Sequence, residues 1–412
     1  MGKQIVFRSS RIFDGDSADL HSGMDVLVAD GVIRQIAKSP LPVSEDTEVV
    51  DCAGRVLMPG LIDAHVHVYA YGLNVTRVVQ APPTYVAHFA AQFLRATIDR
   101  GFTTVRDVGG GDVGLATAIR DGLLSPTPRF IYGGRVISQT GGHGDFRPGD
   151  HALPMECCGC HCDFFSVLAD GADAVRHAVR EELRRGASHI KVMASGGVAS
   201  PTDPLERCQY SDDEIRAAVD EATRAGSYVA THCHPAEAIR RSAMLGVRSI
   251  EHCTLVDDES AAVMAEKGAY AVPTMAVIFA LLEEGERLGL PPVSVDKLRR
   301  VSDYAFSGLT ILKRAGVKMG LGTDLLGPQH VRQSTEFTLR AQALTPIDIL
   351  RSACSVNAEI LNQTGRLGCV REGALADLLV VDGEPLSDVA VLANHENLRV
   401  IMKGGAFHKR TI

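Results

Sequence analysis

The chain has 412 residues, 45% of them hydrophobic and 22% charged, with a formal net charge of −8. This is the composition of a globular protein with a sizeable core, and the negative balance excludes the basic footprint of a nucleic-acid binder. No apolar run approaches the ~20 residues that span a bilayer, and the N-terminal stretch lacks the apolar centre of a secretory leader, so a cytoplasmic location is expected with no membrane partner.

Residues 1–58 predict short alternating strands at 5–8, 25–29 and 32–37, punctuated by Asp14-Gly15 and Asp30-Gly31 turns. From there on, short apolar runs alternate with amphipathic stretches, the sign of βα units and a parallel sheet. Eight strands are predicted, at 56–67, 103–108, 129–138, 189–195, 228–234, 249–253, 269–277 and 318–324. Helices are predicted between them at 87–100, 172–185 and 212–225, the last opened by a capping box, Ser211-Asp212-Asp213-Glu214. Residues 368–412 return to short strands at 376–382, 400–403 and 406–409. The expected fold is α/β: a (β/α)₈ TIM barrel over 59–359, with a small β-sandwich built from 1–58 and 360–412.

Ten cysteines without a leader indicate reduced thiols rather than a disulfide framework. Four of them crowd into Cys157-Cys158-Gly159-Cys160-His161-Cys162. Structural zinc sites generally show two separated ligand pairs, so this cluster reads as a cysteine-rich loop.

The chemistry lies at predicted strand ends. Side chains at i and i+2 share one face of a strand, so His65 and His67 could hold one metal, at the end of a barrel where active sites lie. Lys191 interrupts an apolar strand, where a buried ammonium is costly. Taken singly it reads as a snorkelling or salt-bridged lysine; a burial-lowered pKa would instead leave an amine able to take up CO₂ as a bridging carbamate. Thr231-His232-Cys233-His234 and Ile250-Glu251-His252-Cys253 each end an apolar strand, and Gly320-Leu321-Gly322-Thr323-Asp324 ends the eighth.

The succession His-x-His, Lys, His, His, Asp over residues 58–324 resembles the amidohydrolase superfamily, in its binuclear-metal subtype with a carboxylated lysine. The stretches 102–107, 138–145 and 193–204 are similar to the imidazolonepropionase-like and Xaa-Pro dipeptidase-like branch. That branch includes carboxypeptidases of dipeptides and N-acyl amino acids, and relatives hydrolysing ochratoxin or phenylureas. The resemblance implies two divalent metal ions, zinc suiting the donors. His65, His67 and Asp324 would hold the more buried ion, His232 and His252 the more exposed one, and the Lys191 carbamate both. His143 and His234 would face the substrate carbonyl; some members of the branch have tyrosine at the position of His234. A hydroxide between the metals would attack an amide carbonyl, with Asp324 shuttling the proton. Tyr210, Arg207 and Arg106 are candidate partners for a substrate carboxylate. The implied partners are a small-molecule or dipeptide substrate and further copies of the chain in a homo-oligomer. The alternatives are hydrolysis of ureas, carbamates or cyclic amides at the same metals, and a non-catalytic barrel scaffold, against which the full ligand set argues.

Overall fold

The computed structural model describes residues 4–147, 164–200 and 203–412. The cysteine cluster at 157–162 lies outside the described residues.

The described strands form three sheets. Both ends of the chain enter one mixed eight-stranded sheet, in which Ala406–Arg410, Leu398–Lys403, Leu378–Val381, Val56–Pro59, Gln4–Ile12, His21–Ala29 and Val32–Lys38 lie side by side and Glu48–Asp51 pairs with Gln4–Ile12. Inward residues such as Phe7, Val26, Ile33, Leu57, Leu378 and Val400 form its own apolar cluster. Leu61–Val66, Phe102–Asp107 and Arg129–Tyr132 make a three-stranded parallel sheet. Six parallel strands follow in the spatial order Ser166–Leu168, Val136–Ser138, Ile190–Met193, Val229–Pro235, Ser249–Leu255 and Tyr270–Val272. The central strands Val136–Ser138, Ile190–Met193 and Val229–Pro235 are buried along their whole length because helices pack outside them, as parallel sheets require. Segment 318–324 joins the two parallel sheets: Gly320 N–H donates to the Ala271 carbonyl, and Ala64 N–H to the Leu321 carbonyl.

The strand predicted at 56–67 is two strands. Gly60 separates Val56–Pro59, which belongs to the terminal sheet, from Leu61–Val66, which leads to the histidines. The strand at 129–138 likewise breaks at 133–135, and the strand at 269–277 stops at Val272, because Pro273 cannot donate to a ladder and Thr274 precedes helix Met275–Glu284. Within 318–324 only Met319 forms a β-bridge, although the segment is tied by backbone bonds on both sides. The helices predicted at 87–100, 172–185 and 212–225 are Pro83–Asp99, Ala172–Arg184 and Asp212–Arg224, and the Ser211–Glu214 capping box is present. No helix of the described residues is long and apolar enough to cross a membrane.

Candidate metal centre

The parallel register decides which side chains meet. Met193 lies opposite His232, and Cys233 opposite His252, so Lys191, His232 and His252 sit on adjacent strands. His65 ends the strand hydrogen-bonded to segment 318–324, whose Asp324 N–H donates to the His65 carbonyl at 2.8 Å. An Asp324 carboxylate oxygen lies 3.5 Å from His65 Nε2 and 3.4 Å from His67 Nε2. One donor atom from each of His65, His67 and Asp324 falls within 4.8 Å of the others, the spacing of a shared cation. The imidazoles then continue as a chain of ring contacts, His65–His252 at 4.9 Å, His252–His232 at 4.5 Å and His232–His143 at 4.2 Å. His65, His67, His143, Lys191, His232, His234, His252 and Asp324 line one cavity.

Each ring is oriented from behind. His65 Nδ1 meets Glu251 at 2.8 Å and His67 Nδ1 the Gly109 carbonyl at 2.9 Å, which places those protons on Nδ1 and leaves the Nε2 lone pairs toward Asp324. His65 Nε2 is buried and makes no hydrogen bond. A buried, unpartnered nitrogen beside a carboxylate and a second imidazole is the donor chemistry of a divalent cation site, so the residues fit the metal expected from the sequence. His252 Nδ1 contacts Thr274 Oγ1 at 2.8 Å, and His234 Nδ1 contacts Thr254 Oγ1 at 2.6 Å. His143 Nδ1 donates to Ser200 Oγ at 2.8 Å, with Asp203 3.3 Å away. Lys297 ties Gly197, Ser200 and Asp203 together, its ammonium donating to their carbonyls.

Burial dominates the electrostatics. It pushes the Lys191 ammonium down to about 8, nearer the neutral amine. It also lowers His67 to about 4 and His234 to about 3, and holds His232 and His252 well below the usual imidazole range. Burial alone would raise Asp324, but His65, His67 and Lys191 keep it below the ordinary carboxylate value. The backbone is strained at the same place: His252 has φ 72° and Asp324 φ 54°, left-handed conformations that cost non-glycine residues ~1–3 kcal/mol each. Two glycines admit the rings. A Cβ on Gly197 would lie 2.5 Å from His143 Nε2 and 2.6 Å from His232 Nε2, and one on Gly322 would lie 2.6 Å from His65 Cβ.

The three candidate carboxylate partners are elsewhere. Arg106 is fully buried, paired with Glu251 at 2.8 Å and donating to the Ala64 carbonyl, so its charge is consumed internally. Tyr210 spends its hydroxyl on the Ala169 carbonyl at 2.9 Å, and Arg207 is exposed; neither lines the cavity. Sequence reasoning missed Glu251, Asp203, Thr254, Thr274 and Lys297. The visible signal for Glu251 was a second charge in an apolar strand, directly before His252.

The amidohydrolase family description matches residues 56–407. Ochratoxinase from Aspergillus niger is 30% identical over 99% of this chain and 87% of its own length. A solved amidohydrolase structure superposes with a TM-score of 0.96 at 46% identity, covering 100% of both chains. A prolidase solved with N-methylphosphonate-L-proline superposes with a TM-score of 0.95 at 42% identity, covering 99% of this chain and 100% of that one. The chain belongs to the amidohydrolase family, in its dipeptidase-like branch; it has a TIM-barrel-like α/β fold and is an enzyme that hydrolyses C–N bonds, with amides as the bond class.

Proposed function

With that membership as premise, we propose a binuclear metal-dependent hydrolase cleaving the amide bond of dipeptides or N-acyl amino acids, ochratoxin-type amides included. The observation that carries this reading is the convergence of His65, His67 and Asp324 within 4.8 Å in a cavity also lined by Lys191, His232 and His252. In this reading His65, His67 and Asp324 would hold one cation and His232 and His252 a second, with the Lys191 carbamate as a further anionic donor. The Lys191 amine adds to CO₂ and releases a proton to give the carbamate. Bound there, two cations, zinc by donor type, supply an acidified water nucleophile and polarise a carbonyl oxygen.

Asp324 accepts the proton of the attacking water and returns it to the leaving nitrogen. Thr254 can donate to His234 Nδ1, which keeps the proton on Nε2 and makes that edge a donor to the carbonyl oxygen as it gains charge. His143, fixed through Ser200 and Asp203, orients the same carbonyl. The reading takes 59–359 as a closed (β/α)₈ barrel, supported by the bonds of segment 318–324 to both parallel sheets. It takes 1–58 with 360–412 as a small β-sandwich, supported by their shared strands, and the enzyme as a cytoplasmic homo-oligomer.

The test is metal analysis together with a dipeptide and N-acyl amino acid library. Two metal equivalents per chain and turnover of linear amides are expected. Turnover confined to ureas, carbamates or cyclic amides would replace this reading with hydrolysis of those compounds at the same site.

A further inference from the structure

Above the histidines the cavity changes character. Val277, Ile278 and Leu281 project from helix Met275–Glu284, and Leu298 and Val301 from helix Pro292–Arg314, with Phe165 also in the wall. The spacings i, i+1, i+4 and i, i+3 put each set on one helix face, and the two helices pack together. The whole cavity, from the histidines to the apolar wall, measures about 110 Å³.

Lys191, at the metal cluster, is the only lysine or arginine among the described lining residues. Segments 148–163 and 201–202 contain no lysine or arginine in their sequence. Among the described residues the slot therefore offers apolar contact on several sides and no side-chain cation beyond Lys191.

We infer that the preferred substrates carry a bulky apolar group, an aromatic ring or an extended alkyl chain, seated between these two helices beside the scissile amide. Burial of that group, rather than an ion pair to a free carboxylate, sets the selectivity. Lys297 ties the slot to the reaction: it shares the helix of Leu298 and Val301 and clamps the loop that orients His143. The inference rests on the amide-hydrolase reading, and the experiment separates the two.

The metal-loaded enzyme is assayed against matched amides in which the acyl side and the amine side are lengthened separately, from acetyl to phenylbutyryl and from alanine to phenylalanine. On one side kcat/KM should rise about fourfold per buried methylene until the slot is full. Replacing the substrate carboxylate by its amide should change kcat/KM less than that series spans. The variant V277F narrows the slot and should compress the ratio between phenylbutyryl and acetyl substrates, or between the matching amine pair, at least tenfold. Calorimetry on the metal-free protein gives a readout independent of turnover: 4-phenylbutyrate or phenylpropylamine should bind more tightly than acetate or methylamine, with a negative heat-capacity change. No turnover of any amide refutes the proposed function. Turnover that is flat along both series refutes the slot, and so does collapse of activity on removing the carboxylate. If V277F does not fold, the wild-type series and the calorimetry decide.

Discussion

Replacing Glu251 by leucine tests whether one buried carboxylate serves both the barrel and the metal centre. Glu251 is fully buried, accepts from the Arg106 guanidinium at 2.8 and 3.0 Å and from Ser249, and meets His65 Nδ1 at 2.8 Å. Burial alone would raise its pKa, but Arg106 and His65 hold it below the usual carboxylate range, so it is anionic. E251L leaves the Arg106 charge without its partner, which costs ~3–5 kcal/mol. At about 2.1 cal/mol/K of unfolding entropy per residue, a chain of 412 residues then loses about 3–6 °C of melting temperature. The double variant R106M/E251L replaces the pair by apolar side chains and should recover most of that stability. It should not recover the metal, because His65 still lacks the acceptor that sets its tautomer, and such partners are worth about 10–100-fold in metal affinity. Thermal unfolding and chelator competition on the wild type, both single variants and the double variant complete the cycle. Metal affinity of the double variant within threefold of wild type would refute the orienting role, and stability no better than E251L would refute the ion-pair account.

Three further outcomes are expected. D324N should lower kcat by ~10²–10⁴ with a smaller change in KM, since in the proposed mechanism the lost group moves a proton; metal content and steady-state kinetics check it. G197A should cut activity sharply while leaving the circular dichroism spectrum intact, because its methyl would lie 2.5 Å from His143 Nε2 and 2.6 Å from His232 Nε2. Unchanged kcat would show that the loop yields freely. His330, packed 4.1 Å from Phe93 with its Nε2 unpartnered, has its pKa lowered by burial from 6.5 to about 3. The unfolded chain therefore binds this proton below pH 6.5 and the folded chain does not until about pH 3, so stability falls as pH falls through that window. The loss reaches ~2 kcal/mol at pH 5, and H330F should flatten the acid side of a denaturation-against-pH curve by that amount.

The cavity-lining residues His65, His67, Lys191, His232, His252 and Asp324 were legible because each breaks an apolar pattern at or near a strand end. The Asp212–Arg224 helix was legible for a local reason, since its capping box and period are contained within it. What escaped depended on distant partners. Arg106 looked available to a substrate because its acceptor, Glu251, lies 145 residues away in the chain. Apolar residues flank Gly60 on both sides, at 56–58 and 61–62, so hydrophobic pattern alone runs the two strands together, although Pro59-Gly60 is a turn signal. The apolar slot was invisible because its two helices, Met275–Glu284 and Pro292–Arg314, differ from core helices only in facing a void.

The division at Gly60 has a consequence for how the protein is made. Val56–Pro59 pairs antiparallel with Leu378–Val381, Met58 opposite Leu379, and Gly60 N–H donates to the Asp377 carbonyl. Val56–Pro59 finds one neighbour early, in Gln4–Ile12, but its other edge stays open until Leu378–Val381 has been made. That edge waits for one of the last strands, and closing so long a loop is slow. A chain stalled before residue 378 therefore keeps that edge of Val56–Pro59 unpaired, an open template for pairing with another chain.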